Sequence, residues 1–197
     1  MAAEPLFAEA LRRFLELFDR ARAAGLREPT AMTLATADAE GRPSARVVLL
    51  KGVDERGFVF YTNLESRKAR HLAQRPAASL CFFWDPLMEQ VLIEGTVERV
   101  SDAEADAYWA TRERASQLGA WASKQSRTLN GPDVLAREID AMERRFAGQT
   151  VPRPAHWSGY RLIPSRIEFW IARPHRLNER TLYHQQPFGW TRAQLYP

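Results

Sequence analysis

Apolar side chains recur every three or four positions in two stretches of the chain, which is the spacing of an amphipathic helix. The first stretch covers residues 5–24 and stops at Gly25, a residue type that commonly ends helices. Its predicted core-facing stripe is Leu6, Phe7, Leu11, Phe14, Leu15 and Phe18. The second stretch covers residues 133–146, and its predicted inward residues are Val134, Leu135, Ile139, Met142 and Phe146.

Shorter apolar runs, bounded by turn residues, predict β-strands along most of the remaining chain. Residues 42–51 contain an apolar run at 47–50 that is typical of a buried strand, and with residues 57–62 they predict a hairpin. Further strands are predicted over residues 31–36, 77–84, 90–100, 176–183 and 189–195, and two around Pro164 within residues 157–171. About seven or eight short strands with interspersed helices favour one antiparallel barrel with helices at its edge.

The composition is that of an ordinary soluble globular protein, with 45% hydrophobic and 26% charged residues. No apolar run approaches the ~20 residues of a membrane span, and no basic segment precedes an apolar one as in a signal peptide. The single cysteine, Cys81, is typical of a reducing compartment. We therefore expect a cytoplasmic protein that does not contact a membrane.

The net charge of +4 and the pI of about 9.6 raise the possibility of a nucleic-acid partner. However, the 28 basic residues are spread among 24 acidic ones, and only Lys51, Lys68 and Lys124 are lysines. Because the chain has no dense basic tract, we expect no nucleic-acid binding.

A group of cations lies where the predicted strands end and a helix begins. Ser66 is a helix-start residue ahead of residues 67–72, and Arg46, Lys51, Arg67 and Lys68 fall at strand ends or at this helix N-terminus. Free N–H groups and the positive end of the helix dipole favour an anion there, so the extra cations indicate a bound phosphate. Solvated surface charges are the alternative interpretation, and the segment alone leaves it open.

A second candidate phosphate site follows a capping box formed by Ser101 and Glu104. The predicted helix extends to about residue 114, so Tyr108 and Arg112 lie one turn apart, and Ser116 joins them if the helix continues. A phenol, a guanidinium and a hydroxyl in a row suit a phosphate. An exposed arginine stacked on a tyrosine explains the same spacing.

Several kinds of chemistry are disfavoured by the motifs that the chain lacks. Its four histidines show no HxH or HExxH spacing and one cysteine cannot build a zinc site, so we expect no metal. The sequence contains no GxSxG, Walker A or GxGxxG motif. What remains is a phosphate-binding, aromatic-rich barrel without an obvious nucleophile, which suits a protein whose chemistry is carried by a bound cofactor.

Five segments together identify a family resemblance: RPSARVVLLKG, FVFYTNLESRKAR, the strand around Gln90, GAWASKQS, and IEFW followed by RPHRLNER. In these the chain resembles the pyridoxine (pyridoxamine) 5′-phosphate oxidase family, from about residue 28 to Pro197. The resemblance implies an α+β, mainly β, FMN-binding split barrel: a six- to eight-stranded antiparallel Greek-key barrel with flanking helices, forming one domain over residues 1–197. Within it, residues 1–25 are the N-terminal helix, and residues 157–197 complete the barrel and the site.

The same resemblance implies a homodimer with FMN at the subunit interface. The implied reaction is oxidation of pyridoxine 5′-phosphate or pyridoxamine 5′-phosphate to pyridoxal 5′-phosphate by molecular oxygen, with release of hydrogen peroxide. The implied FMN contacts are Arg46, Val47, Val48, Leu49, Leu50, Lys51, Tyr61, Thr62, Ser66, Arg67, Lys68, Gln90, Gln125, Ser126, Trp170 and Arg180. The implied substrate contacts are Lys51, Tyr108, Arg112, Ser116, Arg176 and Asn178, of which Arg176 and Asn178 are also the implied catalytic residues.

The chain departs from the family pattern in two places. Asn178 stands where the family usually has a histidine, and an asparagine can form hydrogen bonds but cannot become cationic. The chain also starts directly at the first helix, without the basic, tyrosine-containing arm of some members. Two alternatives therefore stay open: a related flavin oxidase of phenazine-type biosynthesis, and a catalytically impaired binder of flavin or pyridoxal phosphate.

Overall fold

A computed structural model describes residues 4–197, and within them five α-helices flank one curled antiparallel sheet of nine strands. The helices are α1 (Pro5–Ala23), α2 (Arg67–Gln74), α3 (Asp102–Ala110), α4 (Arg114–Ala122) and α5 (Val134–Arg145). The strands are β1 (Ala31–Ala37), β2 (Pro43–Leu49), β3 (Gly52–Asp54), β4 (Gly57–Asn63), β5 (Ala77–Trp84), β6 (Glu89–Arg99), β7 (Trp157–Ile171), β8 (Glu179–Gln186) and β9 (Gly189–Leu195). Residues 1–3 of the predicted N-terminal segment lie outside the described residues.

The sheet has the strand order β2-β1-β5-β6-β7-β4-β3, and β8 and β9 extend from β7. Its two outer strands, β2 and β3, are consecutive in the chain and are separated only by Leu50 and Lys51. The backbone N–H of Lys51 already donates to the carbonyl of Val59 on β4, at 2.8 Å. β2 and β3 therefore form one continuous segment, which pairs with β1 through β2 and with β4 through β3. This segment closes the sheet into a barrel. The predicted class of fold is confirmed, although the strand count is above the predicted one.

The predicted hairpin between residues 42–51 and 57–62 is wrong. β2 pairs along its whole length with β1, from Pro43 opposite Ala37 to Leu49 opposite Ala31, and only the three residues of β3 pair with β4. β2 is also not a buried strand, since Val47 keeps 66% of its surface exposed. An apolar run fills a buried strand and an edge strand beside a cavity equally well, so the sequence could not distinguish the two.

Helix α1 packs on the barrel core through aromatic contacts. The Phe14 ring meets Phe58 edge to face at 5.0 Å between ring centroids, and Phe7 stacks on Trp190 at 4.9 Å. The predicted stripe is wrong at one position, because Leu15 is 43% exposed while Leu17 is buried. The helix ends as predicted before Gly25, which has a positive φ of 75°.

Strand β7 is one strand of 15 residues, and the prediction of two strands around Pro164 is wrong. The sheet tolerates this proline because the pairing with β6 shifts register between Glu94 and Gly95, opposite Pro164. Gly95 is needed for this shift, since a Cβ there would lie 1.9 Å from the carbonyl oxygen of Ile163. The sheet thus continues past the proline and carries the C-terminal part of the site.

Three further predictions need correction. The helix predicted from residue 102 to about 114 ends at Ala110, and α4 begins separately at Arg114. On α5, Leu135 is exposed, and Val134, Ile139 and Met142 are only half-buried, whereas Phe146 just beyond the helix is buried with Trp109 and Trp157. The strand predicted from residue 176 begins at Glu179, because Pro174–Arg176 forms a 3-10 turn.

Among the described residues, no helix has the length and apolar content needed to cross a membrane.

Candidate active site

A cavity of about 1060 Å³ opens beside β2, β4, the start of α2, and the α3–α4 region. Most of the predicted FMN contacts line it, namely Arg46, Val47, Val48, Leu49, Lys51, Tyr61, Thr62, Arg67, Lys68, Gln125 and Ser126. The predicted substrate contacts Tyr108, Arg112 and Ser116 line the same cavity. Its volume is slightly above the roughly 300–1,000 Å³ found for ligand pockets, so there is room for a large ligand or for two smaller ones.

Lys68 is buried in the wall of this cavity with only neutral partners. Its ammonium group donates to Thr62 Oγ1 at 3.1 Å, Ser66 Oγ at 3.4 Å and Gln125 Oε1 at 3.4 Å. Burial, together with repulsion from Arg46, lowers the pKa of Lys68 from its ordinary value of 10.5 to about 8. Because all partners that the structure shows for this buried cation are neutral, an anion bound beside it would form its only ion pair.

Two arginines add to this positive charge. The half-buried Arg46 donates to the carbonyl of Leu34 at 3.0 Å, to Thr36 Oγ1 at 2.8 Å and to Ser44 Oγ at 2.7 Å. Its pKa is lowered by burial and by the nearby charge of Arg67. Within residues 4–197, neither arginine forms an ion pair with a carboxylate.

The N-terminus of α2 lies beside these three cations. The Ser66 side chain caps the helix by accepting the N–H of Ala69, as the sequence predicted. The N–H of Arg67 donates to Ser126 Oγ at 3.1 Å, and Ser126 takes a positive φ of 70°, which is unusual for a residue other than glycine. Helix N–H groups, Arg46, Arg67 and Lys68 are thus all close to one place, where an anion would offset their mutual repulsion.

The opposite side of the cavity is aromatic. Tyr61 stacks on Tyr108 with ring centroids 4.0 Å apart and on Trp157 at 5.3 Å. The Arg112 guanidinium lies 4.7 Å from the centre of the Trp157 ring, and its Nη1 atom is buried without a hydrogen-bond partner. Buried donors are nearly always paired in proteins, so this nitrogen is a candidate hydrogen-bond donor to a ligand.

Tyr108, Arg112 and Ser116 come together for a reason other than the predicted one. The chain leaves the helix at Thr111 and enters α4 at Arg114, so a bend rather than a continuous helix face brings the three residues to the cavity. The capping box predicted for Ser101 and Glu104 is present, and it fixes the start of α3.

A buried arginine behind the cavity wall was missed by the sequence analysis. Arg161 on β7 has 3% of its side chain exposed, and it donates to Asp54 Oδ1 at 2.6 Å and to Glu104 Oε1 at 2.7 Å. The hydroxyl of Tyr61 donates to the carbonyl of Glu104 at 3.3 Å. The N–H and hydroxyl of Ser101, together with Arg56 and Arg161, keep the pKa of Glu104 at about 2, so this carboxylate is charged throughout the physiological range. The only signal in the sequence was an arginine between two apolar strand residues, Tyr160 and Leu162.

The remaining predicted site residues do not line the cavity of a single subunit. Leu50 is in the core and Ser66 caps α2. Gln90, Trp170 and Arg180 are neighbours in a row across β6, β7 and β8, and Arg176 and Asn178 lie in the β7–β8 loop beside that row. Here Arg180 donates to the buried carboxylate of Glu168 at 2.7 Å, and Asn178 accepts the N–H of Arg173 at 3.1 Å. Among the residues that the structure describes, no cluster of His, Cys, Asp and Glu could hold a metal ion.

Comparison with known families gives two matches that together cover most of the chain. A family model described as "Pyridoxamine 5'-phosphate oxidase" matches residues 18–146. A second, described as "Pyridoxine 5'-phosphate oxidase C-terminal dimerisation region", matches residues 157–197. The resemblance found in the sequence is therefore confirmed.

Curated relatives agree with the family match. A protein of Myxococcus xanthus (strain DK1622) is 55% identical over 189 residues, which cover 96% of this chain and 92% of that protein. One from Alkalilimnicola ehrlichii is 56% identical over 194 residues, covering 98% and 99%. Both are named pyridoxine/pyridoxamine 5'-phosphate oxidase.

Solved structures show the same fold. PhzG from Burkholderia lata 383, solved in complex with tetrahydrophenazine-1-carboxylic acid, is 35% identical and superposes with a TM-score of 0.88, covering 100% of this chain and 94% of that one. A pyridoxamine 5'-phosphate oxidase-related, FMN-binding protein from Nostoc punctiforme is 19% identical with a TM-score of 0.74, covering 94% and 95%. The second comparison, at this low identity, supports the split-barrel fold alone.

Proposed function

Because the chain belongs to the pyridoxamine 5′-phosphate oxidase family, we propose that it is an FMN-dependent oxidase of phosphorylated B6 vitamers. It converts pyridoxine 5′-phosphate or pyridoxamine 5′-phosphate to pyridoxal 5′-phosphate, consumes molecular oxygen and releases hydrogen peroxide. The observation that carries this proposal is a cavity with two separate places for an anion: the cations at the start of α2, and the unpartnered nitrogen of Arg112.

The residues at α2 fit the phosphate of FMN. Arg46, Arg67 and Lys68 have no carboxylate partners within the described chain, and the positive end of the α2 dipole lies beside them, although the N–H groups of Arg67 and Ala69 already donate to Ser126 and Ser66. Gln125 and Ser126 lie on the loop that touches this helix start. Bound FMN would supply the two-electron acceptor that the cavity's side chains do not provide.

The other anion position fits the phosphate of the substrate. Arg112 presents a buried Nη1 without a partner, and Lys51, Tyr108 and Ser116 line the same cavity. A charged, bidentate donor buried against Trp157 discriminates strongly against ligands without an anionic group, because an unpaired buried donor is costly. A phosphorylated ring compound satisfies this requirement.

A homodimer accounts for the site residues that lie away from the cavity. Trp170, Arg176, Asn178 and Arg180 all fall within residues 157–197, the segment that matches the C-terminal dimerisation region. The exposed edge of β2, with Val47 66% exposed, is the kind of surface that a second subunit covers. We place the row of Gln90, Trp170 and Arg180 from one subunit over the cavity of its partner.

The protein's contribution to the reaction is positioning and charge. The phosphate-binding residues would hold the substrate beside bound FMN, which would supply the hydride acceptor, and Arg176 would orient the C4′ substituent of the substrate. No strong general base is required of a side chain. Lys68, with a pKa of about 8, is mostly charged at neutral pH and so contributes to holding the cofactor phosphate.

The test is to purify the protein, measure bound flavin by its visible absorbance, and follow pyridoxal 5′-phosphate formation and oxygen uptake with both substrates. The matched variant Arg176→Ala should bind FMN normally and lose most of its turnover. Colourless protein that takes up no added FMN would contradict the proposal, and so would an Arg176→Ala variant with undiminished turnover.

A related flavin oxidase of phenazine-type biosynthesis is the second candidate, and the similarity to PhzG is what supports it. The higher identity to the two B6-vitamer oxidases favours the first candidate, whereas Arg112 suits a carboxylate as well as a phosphate. Oxidation of a tricyclic carboxylic acid, with no oxidation of either B6 phosphate, would identify the second. Flavin-bound protein that consumes no oxygen with any of these substrates would identify an impaired binder.

A further inference from the structure

The loop between β7 and β8 has an unusual backbone. His175 and Arg176 are consecutive residues with positive φ values of 58° and 62°, a region that residues other than glycine rarely adopt. A backbone of this kind persists only where its surroundings hold it, and such positions concentrate at functional sites. Contacts within or around the loop must therefore hold it in this form.

Few contacts cross the loop. The N–H of Arg173, directly after β7, donates to Asn178 Oδ1 at 3.1 Å, and the N–H of Leu177 donates to the carbonyl of Pro174 at 3.3 Å. The Arg173 guanidinium also donates to Glu179 at 2.7 Å, but both side chains are about half exposed, and exposed ion pairs contribute little. Among residues 173–179, Asn178 is the one that is half-buried, while the others are exposed.

The Asn178 amide therefore connects the two ends of the loop. Its oxygen reaches back five residues to Arg173, two residues after the end of β7, and Arg176 lies inside the segment that this contact encloses. With its ends held together, the loop has to turn sharply, and the left-handed residues His175 and Arg176 make that turn. Losing the amide oxygen would leave the N–H of Arg173 unpaired and allow the loop to relax to ordinary backbone angles.

We propose that Asn178 is a positioning residue: it holds the β7–β8 loop so that Arg176 points into the active site. Asn178 does not itself act on the substrate. The role of Arg176 rests on the proposed function, but the loop contact does not. Because an amide carries no charge at any pH, the position of Arg176 is then independent of pH. A histidine at this position would titrate near neutrality.

Two variants separate positioning from direct substrate contact. Asn178→Ala removes the acceptor for the N–H of Arg173. Asn178→Asp keeps an acceptor oxygen of the same shape but removes the amide Nδ2, which is the only donor that Asn178 could offer to a substrate. The matched control is Glu179→Gln, which weakens the exposed ion pair in the same loop and leaves the amide contact intact.

The first measurement needs neither FMN nor turnover: amide hydrogen exchange at Arg173, followed by NMR on the full-length protein. Asn178→Ala should speed this exchange by about 2- to 12-fold, the range expected for one net hydrogen bond. Asn178→Asp and Glu179→Gln should stay within about twofold of the wild type. Unchanged exchange in Asn178→Ala would overturn the proposal.

The second measurement is steady-state turnover of pyridoxamine 5′-phosphate with saturating FMN. We expect Asn178→Ala to lower kcat by at least about tenfold with a smaller change in KM, and Asn178→Asp to restore most of it. If Asn178→Ala keeps the kcat of the wild type although exchange at Arg173 is faster, the contact does not position Arg176 and the proposal is wrong. If the wild type oxidises neither substrate, the proposed function fails, and the exchange measurement alone then decides whether Asn178 holds the loop.

Discussion

Raising the pH from 7 to 9 should weaken FMN binding, and Lys68 is the group responsible. Its ammonium is buried among Thr62, Ser66 and Gln125 and is repelled by Arg46, which lowers its pKa to about 8. A bound phosphate favours the charged form, so the pKa of Lys68 in the complex lies above its value in the free protein. Full affinity is therefore present below pH 8 and is lost as the pH rises through 8.

The size of the effect follows from this pKa. If Lys68 has a pKa of about 8 without FMN, neutral and charged forms are equal at pH 8, and the neutral form is in tenfold excess at pH 9. The apparent Kd should then rise about twofold at pH 8 and about 11-fold at pH 9, relative to its value well below pH 8. The phosphate of FMN, with a second pKa of about 6, is already fully charged across this window and adds no slope.

The assay is titration of the apoprotein with FMN, followed by flavin fluorescence at several pH values between 7 and 9. Lys68→Arg is the matched control because a guanidinium stays charged, so this variant should bind with little pH dependence. Lys68→Met should bind about 10- to 150-fold more weakly at pH 7, since it loses a charge-assisted hydrogen bond, and it should also lack the slope. A flat profile in the wild type, or the same slope in Lys68→Arg, would refute the reasoning.

Three other variants test separate parts of the structure. Arg112→Met should raise the KM for pyridoxamine 5′-phosphate by about 10- to 150-fold with little effect on the Kd for FMN, because it removes a buried charged donor on the substrate side. An equal loss of FMN affinity would contradict that assignment. Gly95→Ala should lower the free energy of unfolding by about 3 kcal/mol in chemical denaturation, since its Cβ would lie 1.9 Å from a backbone carbonyl oxygen. The control is Gly119→Ala, which has open space around it and should not lower the free energy of unfolding. Arg161→Met should destabilise by about 1–3 kcal/mol because it removes the charged hydrogen bonds of a buried guanidinium to Asp54 and Glu104, whose remaining cationic partner is Arg56, and Arg161→Lys should recover part of the loss. Unfolding midpoints that match the wild type would show that the buried ion pairs are dispensable.

Local signals allowed the sequence to predict much of the fold. The Ser66 cap, the capping box of Ser101 and Glu104 and the end of α1 at Gly25 depend on residues within one helical turn, and all are present. The pairing of β2 depends instead on which distant strand lies beside it. Its apolar residues suit both a hairpin with residues 57–62 and the observed pairing with β1, so the pattern could not decide.

The site was predictable to the extent that its chemistry lies in short motifs. Arg67 and Lys68 directly follow Ser66, and the physical argument for an anion at this helix start needs no tertiary structure. Arg161 could not be predicted, because its carboxylate partners at positions 54 and 104 are far from it in sequence. The row of Gln90, Trp170 and Arg180 was identified only through family resemblance, since pairing across three strands brings it together.

The separation of this row from the cavity leads to a prediction about mixed dimers. If each active site combines Lys68 of one subunit with Arg176 of the other, a Lys68→Met subunit paired with an Arg176→Ala subunit contains one site with both substitutions and one intact site. Random reassociation of equal amounts gives half heterodimers, so at an FMN concentration that saturates the wild type but not the Lys68→Met variant, the mixture should recover about a quarter of the wild-type turnover although each parent is nearly inactive.

The measurement is turnover of pyridoxamine 5′-phosphate before and after the two purified variants are unfolded together and refolded, with each variant refolded alone as the control. If both residues of a site came from the same chain, every site in the mixture would carry one substitution and no turnover would return. A mixture as inactive as its parents, in which mass spectrometry shows that heterodimers have formed, would thus refute a shared site and require Arg176 to reach the cavity of its own subunit.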